Sequence, residues 1–372
     1  MRILIDGHYG MANLGDDLIL VTLVELLNEE GYNRIKVIHH GSRILKTSNL
    51  HYDTLILSKN TILKLLQIIV SVLSSDVIII GGGGLFPSGF NKRIYFITSF
   101  AKLLRKKVIL FGVGIDKIKN NQVKYWGKMI ERLDLFTVRD NYSRDIINHY
   151  YPNKILVMAD IIFARNRQIK SQNKSNIILS LAMPFSDKEL KIGHFATRYN
   201  DFLIACGHML NELRILNKNL VMLIFDSVRD KILLDNLSEK GYLQKSDLII
   251  TPDFNNIFDI YDSAYITISM RYHSLLMSIY SNTPTLSLSY APKAHQLLIE
   301  NNMSYLSIVY GIRSSEFFGY EKDIDIDEVD KKIEYIISNY TAIKTKIIDV
   351  NAKLHEKSSF GFEILLKNLK EV

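Results

Sequence analysis

The sequence predicts an α/β protein with two Rossmann-like, parallel-sheet domains that face a cleft. Three observations lead to this fold class. Short runs of Ile, Val and Leu alternate with helical patterns from one end of the chain to the other. The runs are almost continuously apolar, which is typical of parallel strands covered by helices on both faces. The length of 372 residues exceeds one ordinary core and favours about two domains.

The first domain is expected to span residues 1–165. Its predicted strands are Arg2–Asp6, Arg34–His39, Thr54–Leu57, Val77–Ile80, Lys107–Val113, Leu135–Val138 and Ile155–Met158. Helical periodicity between them is clearest at Asp17–Glu29, Ile94–Arg105, Gln122–Leu133 and Ser143–Tyr150. The polar stretch Arg165–Ser175 then predicts a linker.

The second domain is expected to span residues 176–322, because the alternation of strands and helices restarts after the linker. Its predicted strands are Ile177–Leu181, Asn219–Phe225, Leu248–Thr251, Tyr265–Ser269 and Thr285–Ser289. Beyond Asp323 the pattern is purely helical. We expect residues 323–372 to form helices that pack back across the seam between the domains, by analogy with similar two-domain folds.

The segment Thr61–Ile80 is apolar enough to raise the question of a membrane span. Lys64, Gln67, the serines between positions 71 and 75, and Asp76 interrupt it. It therefore lacks the unbroken run of about 18 apolar residues that a span needs. It predicts a buried helix followed by the strand Val77–Ile80.

Cysteine usage and the start of the chain bear on the cellular compartment. Cys206 is the only cysteine, which excludes an internal disulfide framework and a cysteine metal cluster. Its apolar surroundings predict a buried helix position. The first residues are already strand-like, so no signal peptide is expected. We expect a cytoplasmic protein, with the inner face of the cell membrane as a place of contact.

The net charge of +7 mildly favours anionic partners. The lysines are scattered and no known nucleic-acid module is present, so nucleic acid is not an expected partner. Peripheral contact with anionic lipids and binding of an acidic glycan account for the charge equally well. Solvated lysines without a function are a third explanation.

Two loops of the first domain follow strands and carry unusual residues. In a parallel sheet, ligands bind beyond the carboxyl ends of the strands. The loop after the first strand contains Gly10, Asn13, Gly15 and Asp16; a turn and a helix cap explain the last two but not the others. The run Gly81–Gly84, which includes Gly82, Gly83 and Gly84, follows another strand. Four consecutive glycines are entropically costly, which favours close approach of a ligand or of the other domain over a plain loop.

Two further strand ends in this domain are open to a structural explanation. Phe111–Ile115 contains two glycines for which tight turning is an equally good reason. Arg139 ends a buried strand, where it either binds an anion or serves as a partner in a structural ion pair.

The second domain carries the strongest candidate. A β-branched strand runs into Met270–Ser274, which contains Arg271 and His273, and an apolar helix follows. Unpaired backbone N–H groups at the start of a helix favour an anion. Arg271 adds a two-pronged donor for a carboxylate or phosphate, and His273 can carry a proton near neutral pH. A helix start with one ion pair and one core histidine is the structural alternative. Ser289 and Lys293 follow the next strand and are expected on the same rim.

No metal and no cofactor are expected. The chain has no His/Cys pattern with ligand spacing, and Asp323–Asp327 lacks the glycine turn of a calcium loop.

Taken together, these loops resemble the polysaccharide pyruvyl transferase family. The matching segments are, in chain order, Gly10–Asp17, Gly81–Phe86, Gly112–Ile115, Val138–Ser143, Ala159–Asp160, Ser269–Ser274 and Thr283–Lys293. The resemblance covers most of the chain, and the order of the segments makes it specific. Ile161 stands where the family commonly has proline, and Ala291 where it often has an acidic residue.

The resemblance implies a fold similar to that of GT-B glycosyltransferases and a metal-independent reaction with phosphoenolpyruvate as co-substrate. The pyruvate becomes a ketal that bridges two hydroxyls of a sugar in a cell-surface polysaccharide or its lipid-linked precursor, and phosphate leaves. The family's Arg-x-His motif falls on Arg271 and His273, which are the expected catalytic residues. The expected donor-binding residues are Arg139, Arg271, Tyr272, His273, Ser289 and Lys293. The expected acceptor or cleft residues are Gly10, Asn13, Gly15, Asp16, Gly82, Gly83 and Gly84.

Two other functions remain open at this point. A GT-B-type glycosyltransferase would use the same architecture and the basic helix start to bind the diphosphate of a nucleotide sugar. A non-catalytic glycan-binding or scaffold protein could be built on a decayed enzyme, although the retention of Arg271, His273 and the glycine loops argues against it.

Overall fold

The computed structural model describes residues 1–11, 13–41, 50–83, 85–86, 91–152, 155–170, 174–184, 191, 193–310 and 323–371. The chain forms two compact units. Unit 1 comprises Met1–Asn166 and Lys353–Val372, and unit 2 comprises Arg167–Ala352. The division after Asn166 falls within the Arg165–Ser175 stretch. The packing of the terminal helices across a domain seam stays a prediction.

Unit 1 is built on a seven-stranded parallel sheet with the order β3-β2-β1-β4-β5-β6-β7. The strands are β1 (Ile3–Asp6), β2 (Ile35–His39), β3 (Asp53–Ile56), β4 (Val77–Gly81), β5 (Lys107–Val113), β6 (Leu135–Val138) and β7 (Leu156–Val157). Asp6 pairs in register with Ile38 of β2 and Ile80 of β4. The loops after β1 and β4 therefore leave the sheet side by side, at the point where the strand order reverses.

In the described part of unit 1, five helices lie between the strands, and all except α4 begin at a side-chain cap. They are α1 (Leu14–Glu29), α2 (Thr61–Leu73), α3 (Lys92–Leu103), α4 (Val123–Ile130) and α5 (Asn141–Asn148). The capping residues are Asn13 for α1, Asn60 for α2, Asn91 for α3 and Asp140 for α5. Each cap accepts a hydrogen bond from an otherwise unpaired first-turn N–H. Short 3-10 helices lie at Asn120–Gln122 and Ile161–Ala164.

The core of unit 1 lies around its sheet. The strands β1 and β4 are buried along their whole length, as the near-continuous apolar runs predict. Trp126 of α4 is fully buried against Phe86, with ring centroids 4.6 Å apart. This packing anchors the segment that follows the glycine run.

The prediction of a buried helix in Thr61–Ile80 is wrong for the helix and right for the strand. Helix α2 buries only Ile68, Ser71 and Val72, whereas β4 is fully buried. The apolar residues of α2 occupy most of its circumference, and the sheet can cover only one side of a helix. Among the helices in the described ranges, none combines the length and apolar character that crossing a bilayer requires.

Unit 2 repeats the topology of unit 1 in a six-stranded parallel sheet with the order β10-β9-β8-β11-β12-β13. Its strands are β8 (Asn176–Ser180), β9 (Asn219–Leu223), β10 (Leu248–Ile250), β11 (Ala264–Ser269), β12 (Thr285–Ser289) and β13 (Ser307–Val309). The edge strand β13 was not predicted. It has three residues. Together the two sheets confirm the predicted fold class of two parallel-sheet α/β domains.

The helices of unit 2 lie between these strands and after the last of them. They are α6 (Gly193–Arg214), α7 (Arg229–Glu239), α8 (Ile257–Asp262), α9 (Tyr272–Tyr280), α10 (Pro292–Glu300) and α11 (Ile326–Ser338). Helix α12 (Tyr340–Lys370) begins in unit 2, and its residues from Lys353 onward belong to unit 1. Cys206 is buried in α6, as its apolar surroundings predict.

A buried ion pair ties the start of unit 2 to α8, and its removal is expected to destabilise this unit. Arg167 donates to both oxygens of the fully buried Asp262, at 2.8 and 2.7 Å. Truncating Asp262 to alanine leaves a largely buried guanidinium without its partner. We expect Asp262→Ala to lower the free energy of unfolding by about 3 kcal/mol in urea denaturation. The control Asp259→Ala removes an exposed pair with Lys170 and should cost less than about 1 kcal/mol. Equal losses in the two variants would contradict the prediction.

Candidate functional site

In unit 1, the loops that follow β1 and β4 contact each other directly. The hydroxyl of Tyr9 donates to the carbonyl oxygen of Gly81 at 2.5 Å, in a buried position. The amide of Gly114, which follows β5, donates to the carbonyl of Gly83 at 3.1 Å. Backbone and side-chain bonds therefore hold three strand-end loops together at one edge of the sheet.

The glycine run has a packing explanation within unit 1. Gly82 and Gly83 have positive φ angles of 79° and 68°, which only glycine adopts readily. A Cβ atom on Gly82 would lie 2.6 Å from the Tyr9 hydroxyl, and one on Gly83 would lie 1.8 Å from a carboxylate oxygen of Asp16. Contacts inside the unit thus account for both glycines without a ligand. Gly84 lies outside the described residues, and an acceptor-binding role for this run stays a prediction.

Replacing Gly83 with alanine is expected to cost more than its positive φ alone explains. Gly31 has a similar φ of 83°, but no atom would lie within 4 Å of an added Cβ, so Gly31→Ala isolates the backbone cost. That cost is about 1–2 kcal/mol. The clash with Asp16 should add roughly 1–3 kcal/mol in Gly83→Ala. Urea denaturation of both variants measures the difference. Equal losses in the free energy of unfolding would show that the Asp16 side chain moves aside without cost.

The polar residues of the first loop bond to one another. Asn13 caps α1 by accepting from the amide of Gly15 at 3.2 Å, and its side-chain NH₂ donates to Asp16 at 2.7 Å. The amide of Gly10 donates to Asp17 at 2.9 Å. The sequence argument held that a helix cap does not require Asn13. This is wrong, because Asn13 is itself the cap.

The surroundings of Arg139 are those of a structural ion pair. Its side chain is 2% exposed, and its nitrogens lie 3.6 Å from Asp140 and 3.6 Å from Asp160. Burial raises the pKa of Asp160, although Arg139 opposes the shift. The guanidinium also explains Gly114, since a Cβ there would lie 2.7 Å from it. Donor binding by Arg139 stays a prediction.

The structure shows a polar group in unit 1 that the sequence argument missed. Asp6, the last residue of β1, is fully buried, and it accepts from Arg93 at 2.6 Å and lies 3.2 Å from His40. Burial would raise the pKa of Asp6, but Arg93 and His40 outweigh burial and hold it below its usual range. Partial burial, together with the charges of His40 and Arg93, lowers the pKa of the nearby His8 and so disfavours its charged form.

In unit 2, the candidate residues meet at the start of α9. Arg271 occupies the N-cap position, between β11 and the helix, and its side chain makes no capping hydrogen bond. The first-turn amides of α9 are thus not capped by the side chain that precedes them. An uncapped helix start favours a bound anion.

Arg271 is positioned by an aspartate from a different strand end. One terminal nitrogen of its guanidinium donates to Asp230, and the same nitrogen lies 3.9 Å from Asp226. The other carboxylate oxygen of Asp230 accepts from the amides of Phe225 and Asp226, at 3.0 and 2.9 Å. Burial raises the pKa of Asp230, and Arg271 opposes the shift. Asp230 therefore links the loop after β9 to the loop after β11.

The Nε of the Arg271 guanidinium differs from the terminal nitrogen that Asp230 holds. Among the residues that the structure describes, none accepts a hydrogen bond from the Nε of Arg271, although this atom is buried. The side chain as a whole is 18% exposed. A buried donor with no acceptor is costly unless a ligand satisfies it. This is the feature of the site that points most directly to an anion.

His273 and Lys293 both lie near Tyr272, the residue that follows Arg271. His273 is buried in the first turn of α9, and its ring meets that of Tyr272 edge-on at 5.5 Å. The ammonium of Lys293, in the first turn of α10, lies 5.8 Å from the centre of the Tyr272 ring. Tyr290 lies close enough to Arg271 to influence the pKa of its guanidinium.

Ser289 belongs to a group of hydrogen-bonded hydroxyls inside unit 2. It is fully buried at the end of β12, and its hydroxyl bonds to those of Ser287, at 2.8 Å, and Ser307, at 2.9 Å. Ser307 in turn bonds to His295. These bonds place Ser289 in a chain of hydroxyls that joins β12 to β13. Donor binding by Ser289 stays a prediction.

The predicted site residues thus form two groups. Arg271, Tyr272, His273 and Lys293 come together in unit 2, and the glycine loops lie with Arg139 in unit 1. Sequence reasoning missed Asp226 and Asp230. The loop after β9 was an available signal, because it follows a predicted strand and contains two aspartates within five residues. In the described part of the chain, no group of three or more His, Cys, Asp or Glu side chains could hold a metal ion.

Comparison of the sequence with protein families identifies one match. A family model described as polysaccharide pyruvyl transferase matches residues 13–292, which include the loops of both units. No curated protein matches the chain in sequence.

Solved structures share the fold at low sequence identity. The UDP-GlcNAc 2-epimerase from Methanocaldococcus jannaschii is 14% identical, with a TM-score of 0.61 over 99% of this chain and 100% of that one. A putative UDP-N-acetylglucosamine 2-epimerase from Listeria monocytogenes is 11% identical, with a TM-score of 0.64 over 100% and 96%. An alpha-glucosyltransferase, solved with UDP and DNA, is 10% identical, with a TM-score of 0.53 over 99% of both chains. These likenesses show the fold alone, which is that of GT-B-like epimerases and glycosyltransferases.

Proposed function

Because the chain belongs to the polysaccharide pyruvyl transferase family, we propose that it transfers the pyruvyl unit of phosphoenolpyruvate to a sugar. The acceptor is a cell-surface polysaccharide or its lipid-linked precursor. Two hydroxyls of one sugar bond to the central carbon of the donor, which becomes a ketal, and inorganic phosphate leaves. One hydroxyl proton ends on the methylene carbon, which becomes a methyl group, and the other leaves with phosphate.

The observation that carries the proposal is the buried Nε of Arg271 at the uncapped start of α9. Phosphoenolpyruvate presents a carboxylate and a phosphate. Asp230 holds one terminal nitrogen of Arg271, which leaves the Nε edge available for one of these anionic groups. The first-turn amides of α9 and the ammonium of Lys293 add positive potential at the same place.

His273 supplies the proton chemistry in this proposal. Addition across the enol double bond requires a proton at the methylene carbon and removal of a proton from the attacking hydroxyl. An imidazole titrates near neutral pH and can perform either step. His273 lies two residues from Arg271, in the first turn of α9. In this proposal its imidazole contacts a donor bound at Arg271. In unit 1, Gly10, Asn13, Gly15 and Asp16 are the proposed contacts of the acceptor.

The experiment that tests the reaction combines two products. Purified protein is incubated with phosphoenolpyruvate and a glycan acceptor, and phosphate release is measured beside the mass of the glycan. We expect phosphate together with a mass gain of one pyruvate less one water. Phosphate without a change in the glycan would indicate hydrolysis. The absence of both products would contradict the proposal for that acceptor.

A nucleotide-sugar glycosyltransferase is the second candidate. It is favoured by the structural similarity to proteins whose structures contain UDP or that act on UDP-GlcNAc. The anion site at Arg271 would then bind a diphosphate. Release of UDP from a UDP-sugar, with a hexose mass added to the glycan, would support this candidate over pyruvyl transfer. A non-catalytic glycan-binding protein would show neither reaction, and His273→Ala would leave pyruvylation in cells intact.

Activity is expected without a divalent metal. Arg271, Lys293 and the helix start supply the positive charge that a metal supplies in many phosphate-handling enzymes. Extensive dialysis against EDTA should therefore leave turnover of the purified protein within about twofold of the untreated protein. Loss of activity that magnesium restores, and that calcium or buffer does not, would contradict this prediction.

A further inference from the structure

Helix α2 carries six exposed apolar residues on the side opposite its buried residues. Ile62, Leu63, Leu65, Leu66, Val70 and Leu73 are each between 44% and 72% exposed. We call these six residues the α2 face. A soluble helix normally turns its apolar stripe inward. In α2 the covered side holds the buried Ile68 and Val72 together with polar residues, Lys64, Gln67 and Ser71.

The α2 face is continuous and uncharged. At about 100° per residue, its members and the half-buried Ile69 fill an arc of roughly 160° around the helix axis. No Asp, Glu, Lys or Arg lies within that arc. Single exposed apolar residues are ordinary, but a contiguous patch of this kind marks an interaction surface. On the neighbouring helix α3, Phe96 and Leu103 are also exposed, at 36% and 77%.

Positive charge surrounds this surface. From Leu57, directly after β3, to Ile115, the chain carries eight Lys and Arg residues and one acidic residue, Asp76. The resulting net charge of +7 equals that of the whole chain. Asp76 is bonded to Arg2 at 2.7 Å. Three of the cations pair with carboxylates outside the segment, Arg93 with Asp6, Lys102 with Asp134 and Lys107 with Glu371. The remaining positive charge of the segment that contains α2 and α3 is carried by Lys59, Lys64, Lys92, Arg105 and Lys106.

Several of these cations lie at the ends of α2. Lys59 precedes the helix and is exposed. At the other end, the ammonium of Lys106 donates to the carbonyl of Leu73 at 3.0 Å, and the neighbouring Arg105 is exposed. The apolar arc is therefore flanked by cations at both ends, which is the arrangement of helices that lie in the plane of a membrane interface.

We propose that the α2 face is a docking surface for an anionic lipid bilayer. The apolar side chains of α2 enter the boundary between headgroups and acyl chains, and the cations around Lys59 and Arg105 contact acidic headgroups. An acidic protein partner is a weaker fit, because the α2 face itself has no polar group that would give a protein interface its specificity. The inference does not depend on the proposed pyruvyl transfer.

The test is sedimentation of the purified full chain with phosphatidylcholine vesicles, with and without phosphatidylglycerol, and without substrates. We expect binding to the vesicles that contain phosphatidylglycerol. The double variant Leu66→Glu/Val70→Glu should weaken this binding at least about tenfold, because each change places a carboxylate against an anionic surface. A double variant with Lys59→Gln and Arg105→Gln should weaken it by roughly fivefold per cation, or about 1 kcal/mol each.

The matched control is Ile204→Glu/Ile232→Glu, which changes two apolar side chains, each 42% exposed, on helices of unit 2. This control should bind the vesicles as the wild type does.

Light scattering of each protein tests whether a second copy covers the α2 face instead. Failure of the folded wild type to bind phosphatidylglycerol vesicles would overturn the proposal. So would a wild-type dimer that Leu66→Glu/Val70→Glu converts to a monomer. Pyruvyl transfer to a soluble acceptor should be unchanged in this variant, so that failure of docking and failure of the proposed reaction can be told apart.

Discussion

Replacing His273 with alanine is expected to lower turnover by roughly 10²–10⁴-fold, the usual span for a lost general acid or base. His273 is buried in the first turn of α9, beside the arginine proposed to bind the donor. Steady-state kinetics with phosphoenolpyruvate should place this loss in kcat. The KM for the donor should change much less, because Arg271 and the helix start still bind the anionic groups.

A matched control separates chemistry from folding. His208 lies in α6 of the same unit, pairs with Asp330 at 2.8 Å and is partly exposed. His208→Ala should keep turnover near the wild-type value. Circular dichroism and the urea midpoint should show that His273→Ala is folded. A folded His273→Ala protein with near wild-type turnover would exclude His273 from the chemistry.

Replacing Arg271 with lysine is expected to raise the KM for phosphoenolpyruvate by about 10–100-fold. An arginine can donate to Asp230 and to the donor at the same time, because its nitrogens point in different directions. A lysine offers one charged nitrogen, which Asp230 would hold. The loss corresponds to one charge-assisted hydrogen bond, worth about 1.5–3 kcal/mol. Donor binding, measured by calorimetry without acceptor, should weaken in the same proportion.

Arg214 provides the control for this substitution. It pairs with Asp247 of unit 2, whose side chain is 4% exposed, and its own side chain is 17% exposed, compared with 18% for Arg271. Arg214→Lys should cost comparable stability and leave the KM for the donor unchanged. If Arg271→Lys and Arg214→Lys bound the donor equally well, Arg271 would not be a donor ligand.

Several features of this protein could be predicted from the sequence because they depend on local patterns. The strands β1, β4 and β11 are apolar runs that a parallel sheet requires, and each was found within about two residues of its observed bounds. The same alternation placed Arg271 between β11 and the helix that follows. In a parallel sheet, such a junction lies at the edge where ligands bind.

Two local interpretations left out a contact that the structure shows. Gly82 and Gly83 were interpreted as an approach site for a ligand or a second domain, and that role stays a prediction. The structure shows that Tyr9 and Asp16 already fill the space next to them. Asn13 was considered unnecessary for the cap that it forms. The contacts of Gly82 and Gly83 join residues from distant segments of the chain, whose proximity the sequence pattern does not reveal. The cap is different, because Asn13 accepts from the amide of Gly15 two residues on, which is a local contact.

By itself the sequence determined the strand–helix alternation, the fold class and the place of Arg271 and His273, because these follow from the period of apolar residues along the chain. Only the tertiary structure decided that Asp230, which is 41 residues before Arg271, holds the arginine. Likewise, the apolar residues of α2 predicted burial, but the structure covers one side of the helix and exposes the other. The physical reason is the same for both. The period of the apolar residues along the chain specifies which helices and strands form. The partner of a charged side chain, and the side of a helix that is covered, depend on how distant elements pack.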